Sequence, residues 1–193
     1  MLALSVMFSE GKPAKELPRR KPNRLKDYDY SQNGAYFVTI CTKNQREILG
    51  TVVVGDAALG VPFVKLSKHG EIVKIFIENI SNTNRNVFVP QYVIMPNHVH
   101  LILIVEFENA DGTPRAASPT KALIPKIINA LKGLSSKKTG VSLWQRSYHD
   151  HIIRNEADYC RITEYIENNP AHWNEDCFYV GDAAPGVPFT PPP

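Results

Sequence analysis

The chain has 193 residues, with 22 Lys and Arg against 19 Asp and Glu for a net charge of +3. That length suits one domain, or one domain with tails. With 43% hydrophobic and 21% charged residues, wholesale disorder and a collagen-like repeat are excluded. No apolar run approaches the roughly 20 residues of a membrane span. The apolar start Met1 to Met7 is too short for a signal peptide and has no basic segment before it. The expected compartment is therefore the cytosol, with no membrane partner. Cys41, Cys160 and Cys177 are odd in number and far apart, so neither a disulfide framework nor a cysteine zinc site is expected.

The charge is unevenly placed. Residues 1–26 hold Lys12, Lys15, Arg19, Arg20, Lys21, Arg24 and Lys26 against Glu10 and Glu16, which makes this arm +5 and leaves −2 on the other 167 residues. A basic, aromatic-poor arm before the first apolar run fits a polyanion-binding segment; charge alone fits a solubilising tail equally well. Ala35 to Cys41 is β-branched and aromatic behind the turn signal Asn33-Gly34, and reads as a strand. Val54 to Phe63 then recurs at Val180 to Phe189 with nine of ten positions identical. Two copies at so long a period do not make a solenoid, and both are expected to be surface additions.

Between Ser67 and Ser81, Ile72, Ile75, Phe76 and Ile80 recur at helical spacing. Val87 to Met95 reads as a strand whose Pro90 marks an edge or a bulge. Met95-Pro96-Asn97 turns the chain into His98 to Glu106, the most strongly apolar strand. A loop over 107–119 follows, then a helix from Pro125 toward Lys138, weakened by Gly133. Ser147 to Arg154 is a candidate short strand, and a last helix over Glu156 to Asn168 stops before Pro170. Five of the last nine residues are proline, which excludes helix and sheet there. The order strand, helix, strand, strand, helix, strand, helix predicts an α+β fold. It is a ferredoxin-like split βαβ antiparallel sheet with helices on one face and one added C-terminal helix.

The chemistry concentrates on two of these elements. His98 and His100 flank Val99 on a strand, so both imidazoles project from one side of the sheet and can share a divalent cation. Two hydrogen-bonded structural histidines would give the same pattern. On the last helix Tyr165 and Asn169 are four apart and share a face; a packing Tyr and a terminating Asn would look alike. A phenol with a pKa of about 10 is only about one part in a thousand ionised at pH 7, a cost of roughly 4 kcal/mol. A cation that polarises a phosphate oxygen offsets that cost. Imidazole and oxygen ligands suit Mg²⁺ or Mn²⁺, with Mn²⁺ the more tolerant of imidazole.

Five stretches now fall into a recognisable order: Arg19–Lys21 through Asp27–Tyr30, Gly34–Cys41, Val93–Leu101, Trp144–Asn155 and Tyr165–Pro170. Together they resemble the single-tyrosine HUH transposases, and most nearly the branch associated with repeated extragenic palindromes. The resemblance implies a ferredoxin-like endonuclease that nicks and rejoins single-stranded DNA at hairpin-forming sequences. His98 and His100 match the paired histidines of the HUH motif, Tyr165 the nucleophile and Asn169 the third, polar metal ligand. The implied product is a 5′-phosphotyrosine with a free 3′-hydroxyl. Tyr159, six residues before Tyr165, falls on a different face and is expected to pack.

Arg19, Arg20, Lys21, Arg24, Lys26, Arg146 and Arg154 are the candidate DNA contacts. Which of His149, Asp150, His151 and Arg154 touches DNA stays open. The implied partner is single-stranded DNA with palindromic hairpins, bound by a monomer or a homodimer. The expected organisation is an arm over 1–26, a catalytic domain over 27–178 with insertion 54–63, and a Pro-rich tail over 179–193. Two rival readings are a catalytically idle nucleic-acid-binding protein using the sheet as a stacking platform, and an HUH nickase of plasmid replication or mobilisation. The first wants exposed aromatics on the central strands, and His98 to Glu106 has none.

Overall fold

The computed structural model describes residues 32–54, 60–107 and 123–179. Strand β1 (Gly34–Cys41) is buried along nearly its whole length, because both faces of the sheet around it are covered. Tyr36, Val38 and Ile40 join one apolar cluster and Phe37 another, the alternation a pleated strand imposes. A 3₁₀ turn follows, then two strands, β2 (Gly50–Val53) and β3 (Phe63–Leu66), which pair as a separate two-stranded sheet. The repeat-like stretch 54–63 connects them, with its last residue, Phe63, opening β3. This hairpin has a signal in the β-branched runs on either side of the repeat, but the repeat hides it.

Helix α1 (Lys68–Glu78) is capped by Ser67, whose side chain accepts from the His69 and Gly70 amides. It ends earlier than periodicity predicts: Asn79 separates it from a single turn, α2 (Ile80–Thr83). Strand β4 (Val87–Ile94) pairs antiparallel with β5 (His98–Val105), and the register slips between Phe88 and Gln91 around Pro90. Pro90 thus lies both at a bulge and on an edge strand, where its missing N–H costs no ladder bond. Helix α3 (Leu123–Thr139) starts two residues before Pro125, which stands in its first turn. Strand β6 (His149–Ile153) and helix α4 (Glu156–Asn168) complete the chain order, and Trp173–Glu175 forms a last 3₁₀ turn.

The main sheet runs β4-β5-β1-β6 with every neighbour antiparallel. This is the ferredoxin-like arrangement of an α+β fold. Val99, Leu101 and Leu103 of β5 share the first cluster with Val73 and Ile77 of α1 and with Ile124, Ile128 and Leu131 of α3. On the opposite face Phe37, Ile102 and Ile153 pack against Ile162 and Ile166 of α4. The added helix therefore covers the face that carries His98 and His100. Among the described residues no helix is long and apolar enough to cross a membrane. The arm (Arg19, Arg20, Lys21, Arg24, Lys26) and the second repeat lie outside the described residues, as does all but Phe107 of the 107–119 loop.

Candidate metal centre and nucleophile

His98 and His100 open β5 opposite Cys41 and Thr39 of β1. Their side chains are fully buried, and their rings stand 4.4 Å apart at 66°. Each ring has one nitrogen fixed. Asn97 donates its Nδ2 to the Phe178 carbonyl at 2.6 Å, which turns its Oδ1 toward His98 Nδ1 at 2.8 Å. That oxygen only accepts, so Nδ1 carries the proton and Nε2 keeps its lone pair. His98 Nε2 is buried with no hydrogen-bond partner. His100 Nδ1 lies 2.8 Å from Thr39 Oγ1; with Nδ1–H donating there, Nε2 accepts from the Tyr165 hydroxyl at 3.3 Å. Burial holds both imidazoles neutral: His100 falls to about 3 and His98 well below its usual value, the latter also through His100.

Helix α4 brings the other residues in. Asn155 caps it by accepting from the Asp158 amide at 2.8 Å, and Asp158 bonds His151 of β6 and Arg161. Those contacts fix the helix against the sheet edge. Ile162 and Ile166 then face the sheet, and Tyr165 stands edge-on to Phe37 at 6.1 Å and to His100 at 5.2 Å. Tyr159 packs against the same apolar cluster. Burial, then the Asp176 carboxylate, then the Cys177 thiol push the Tyr165 phenol above its usual value. Asn169, at the C-cap, is buried; its Nδ2 donates to Asp176 Oδ2 at 3.0 Å and its Oδ1 has no hydrogen-bond partner.

Asp176 is the residue that sequence reasoning missed. Its side chain is 2% exposed and its Oδ2 lies 3.8 Å from His98 Nε2. His98, His100 and Asp176 offer three ligand atoms within 4.8 Å of one another, a set able to hold a metal ion. No spacing rule reaches an acid 76 positions beyond a histidine pair, in a segment without regular structure. Trp173 and Phe178 flank His98 with ring centroids at 6.0 and 4.7 Å, so the last turn of chain dries the site as well as charging it. A cleft of about 420 Å³ opens beside it, lined among others by Arg161, Tyr165, Asn168, Asn169 and Asp176.

The two remaining candidate DNA contacts separate. Arg146 is exposed and precedes β6 at the end of the sheet where His149 pairs with Thr39, the same end as the histidine pair. Arg154 is exposed at the opposite end, beyond Ile153 and its partner Ala35. Within the Trp144–Asn155 stretch several residues have structural work: Trp144 Nε1 donates to Ser135 Oγ at 2.8 Å. Lys132 Nζ donates to the carbonyls of Gln145 and Ser147 at 3.0 and 2.6 Å.

The fold is built like that of a single-tyrosine transposase. A REP-associated tyrosine transposase bound to a REP hairpin superposes with a TM-score of 0.54, at 19% identity, over 78% of this chain and 73% of that one. The chain belongs to one family with an uncharacterized protein of Haemophilus influenzae. The two are 35% identical over 176 residues, which span 83% of this chain and 93% of that protein. No protein-family model matches the chain.

Proposed function

We propose that the protein is a transposase of the single-tyrosine HUH type, acting in the prokaryotic cytosol. It nicks and rejoins single-stranded DNA at palindromic hairpins through a 5′-phosphotyrosine. One observation carries this reading: a tyrosine hydroxyl 3.3 Å from one of two neutral, buried imidazoles that share a face of the sheet, with a buried amide and a carboxylate beside them. The fold neighbour bound to a REP hairpin supports the choice of DNA substrate. The covered faces of β5 weigh against an idle stacking platform, since bases would find no open sheet.

The donor set fits a divalent cation. His98 Nε2 and Asn169 Oδ1 are buried acceptors without partners, a costly state that an ion relieves. His98 and His100 would hold Mg²⁺ or Mn²⁺ with an oxygen from the Asn169–Asp176 pair. When bound, the ion supplies charge stabilisation at the scissile phosphate. The protein's own residues do the rest. Phe37 and the α4 packing aim the Tyr165 oxygen, which forms a bond to phosphorus as the bond to the 3′-oxygen breaks. The phenol proton leaves to solvent and the departing 3′-oxygen takes one up. The bond energy is retained for rejoining. Arg146 and the basic arm (Arg19, Arg20, Lys21, Arg24, Lys26) supply salt-dependent contacts to phosphates; Arg154 reaches only DNA that extends to the far end of the sheet. The catalytic unit is residues 27–178.

The test is incubation with a single-stranded hairpin oligonucleotide and Mn²⁺, followed by a denaturing gel. The expected result is a covalent adduct from the native protein and from Tyr159→Phe, and none from Tyr165→Phe. An adduct from Tyr165→Phe, or none from the native protein on any palindrome flanking its gene, overturns the assignment.

A further inference from the structure

We propose that Asp176 is a carboxylate ligand of the metal centre, in one set with His98 and His100. The inference rests on the reading of His98 and His100 as a metal pair, and goes beyond it by adding a carboxylate ligand. Ligands bound to one ion at about 2.0–2.4 Å must lie within about 4.8 Å of one another, and the His98, His100 and Asp176 atoms meet that limit as the chain stands. Asp176 is also aimed. Its Oδ1 accepts from the Phe178 amide at 2.7 Å, which turns Oδ2 toward His98 Nε2.

Charge makes the same point. Among the described residues no Lys or Arg pairs with Asp176, and its one ionic neighbour is His98, whose Nε2 has no hydrogen-bond partner. A carboxylate 2% exposed without a cation is expensive, and a divalent ion at the imidazole nitrogens removes that expense. Asn169 meanwhile turns its amide nitrogen toward Asp176. That donor holds the carboxylate in place, while the Asn169 Oδ1 keeps no hydrogen-bond partner and stays open to the ion. The centre then includes two imidazoles and one carboxylate, with net charge +1 once a divalent ion is bound, ready for a phosphodiester.

Metal affinity tests this without DNA. Mn²⁺ is titrated into the full chain and free Mn²⁺ is followed by its electron paramagnetic resonance signal, with near-UV circular dichroism reporting the fold. Asp176→Asn is expected to weaken Mn²⁺ binding at least 30-fold, and Glu175→Gln by less than twofold. Because Asp176→Asn can also loosen the fold, the pair Asp176→Glu and Asp176→Gln is compared: equal in size, only the first keeps a carboxylate and tight binding. Native affinity in Asp176→Asn, or equal affinities in the Glu and Gln variants, overturns the proposal. A DNA adduct without these losses refutes the ligand assignment alone; these losses without an adduct refute the transposase reading alone.

Discussion

Thr39 shows how much a single hydroxyl can settle. It is 1% exposed, its Oγ1 lies 2.8 Å from His100 Nδ1, and it thereby decides which ring nitrogen faces Tyr165. Thr39→Val keeps the shape and removes the acceptor, leaving a buried N–H unpaired at a cost of about 1–3 kcal/mol. Urea denaturation should show that loss, and Mn²⁺ affinity should fall about 10–100-fold; unchanged affinity would mean the ring is oriented by packing alone. At this scale the sequence was partly readable. The His98-x-His100 spacing and the Tyr165-x₃-Asn169 spacing each place two side chains on one face by backbone geometry. Thr39 and Asp176 had no such signal, because strand pairing and a non-repetitive turn brought them in.

Among the elements, α1 depends on a close approach to the start of β2. A Cβ on Gly70 would collide with the Leu49 carbonyl oxygen, and that oxygen also accepts from the Ser67 amide at 2.8 Å. Gly70→Ala must push α1 off the hairpin, an overpacking cost of about 1–3 kcal/mol. Gly133 is the opposite case: exposed on α3, with nothing within 4 Å of a built Cβ. Gly133→Ala should stabilise the protein by about 0.5–1 kcal/mol. Parallel urea titrations read both, and the pair fails as a prediction if the two changes share a sign. Local patterning located the seven larger elements, β1, α1, β4, β5, α3, β6 and α4, yet β2 and β3 escaped it. Four-residue strands carry too few alternations to register, and these two are separated by the repeat-like stretch.

For the whole molecule, the buried histidines tie stability to pH. An unfolded chain binds protons at His98 and His100 below about 6.5, whereas the folded chain resists, His100 down to about 3 and His98 well below its usual value, both through burial. The unfolded state therefore holds more protons as pH falls, so stability is complete above about 6.5 and declines below it. The slope is about 1.4 kcal/mol per pH unit for each histidine. Denaturation at pH 7.5, 6.5 and 5.5 should show an upper step of under about 1 kcal/mol and a loss of about 2 kcal/mol over the lower one. A level profile down to pH 5.5 would mean that the rings are reached by water.

Pattern along the chain determined the fold class, the order of the main strands and helices, and the facing of two residue pairs, since each depends on backbone geometry that repeats every two or 3.6 residues. The expected edge or bulge at Pro90 likewise needed only the chemistry of its own backbone. Tertiary structure alone decided that α4 covers the histidine face, that Asn97 and Thr39 orient the two rings, and that Asp176 returns to them. Those outcomes depend on side chains distant in sequence filling the same dry volume, where burial and charge balance, rather than spacing, determine what meets.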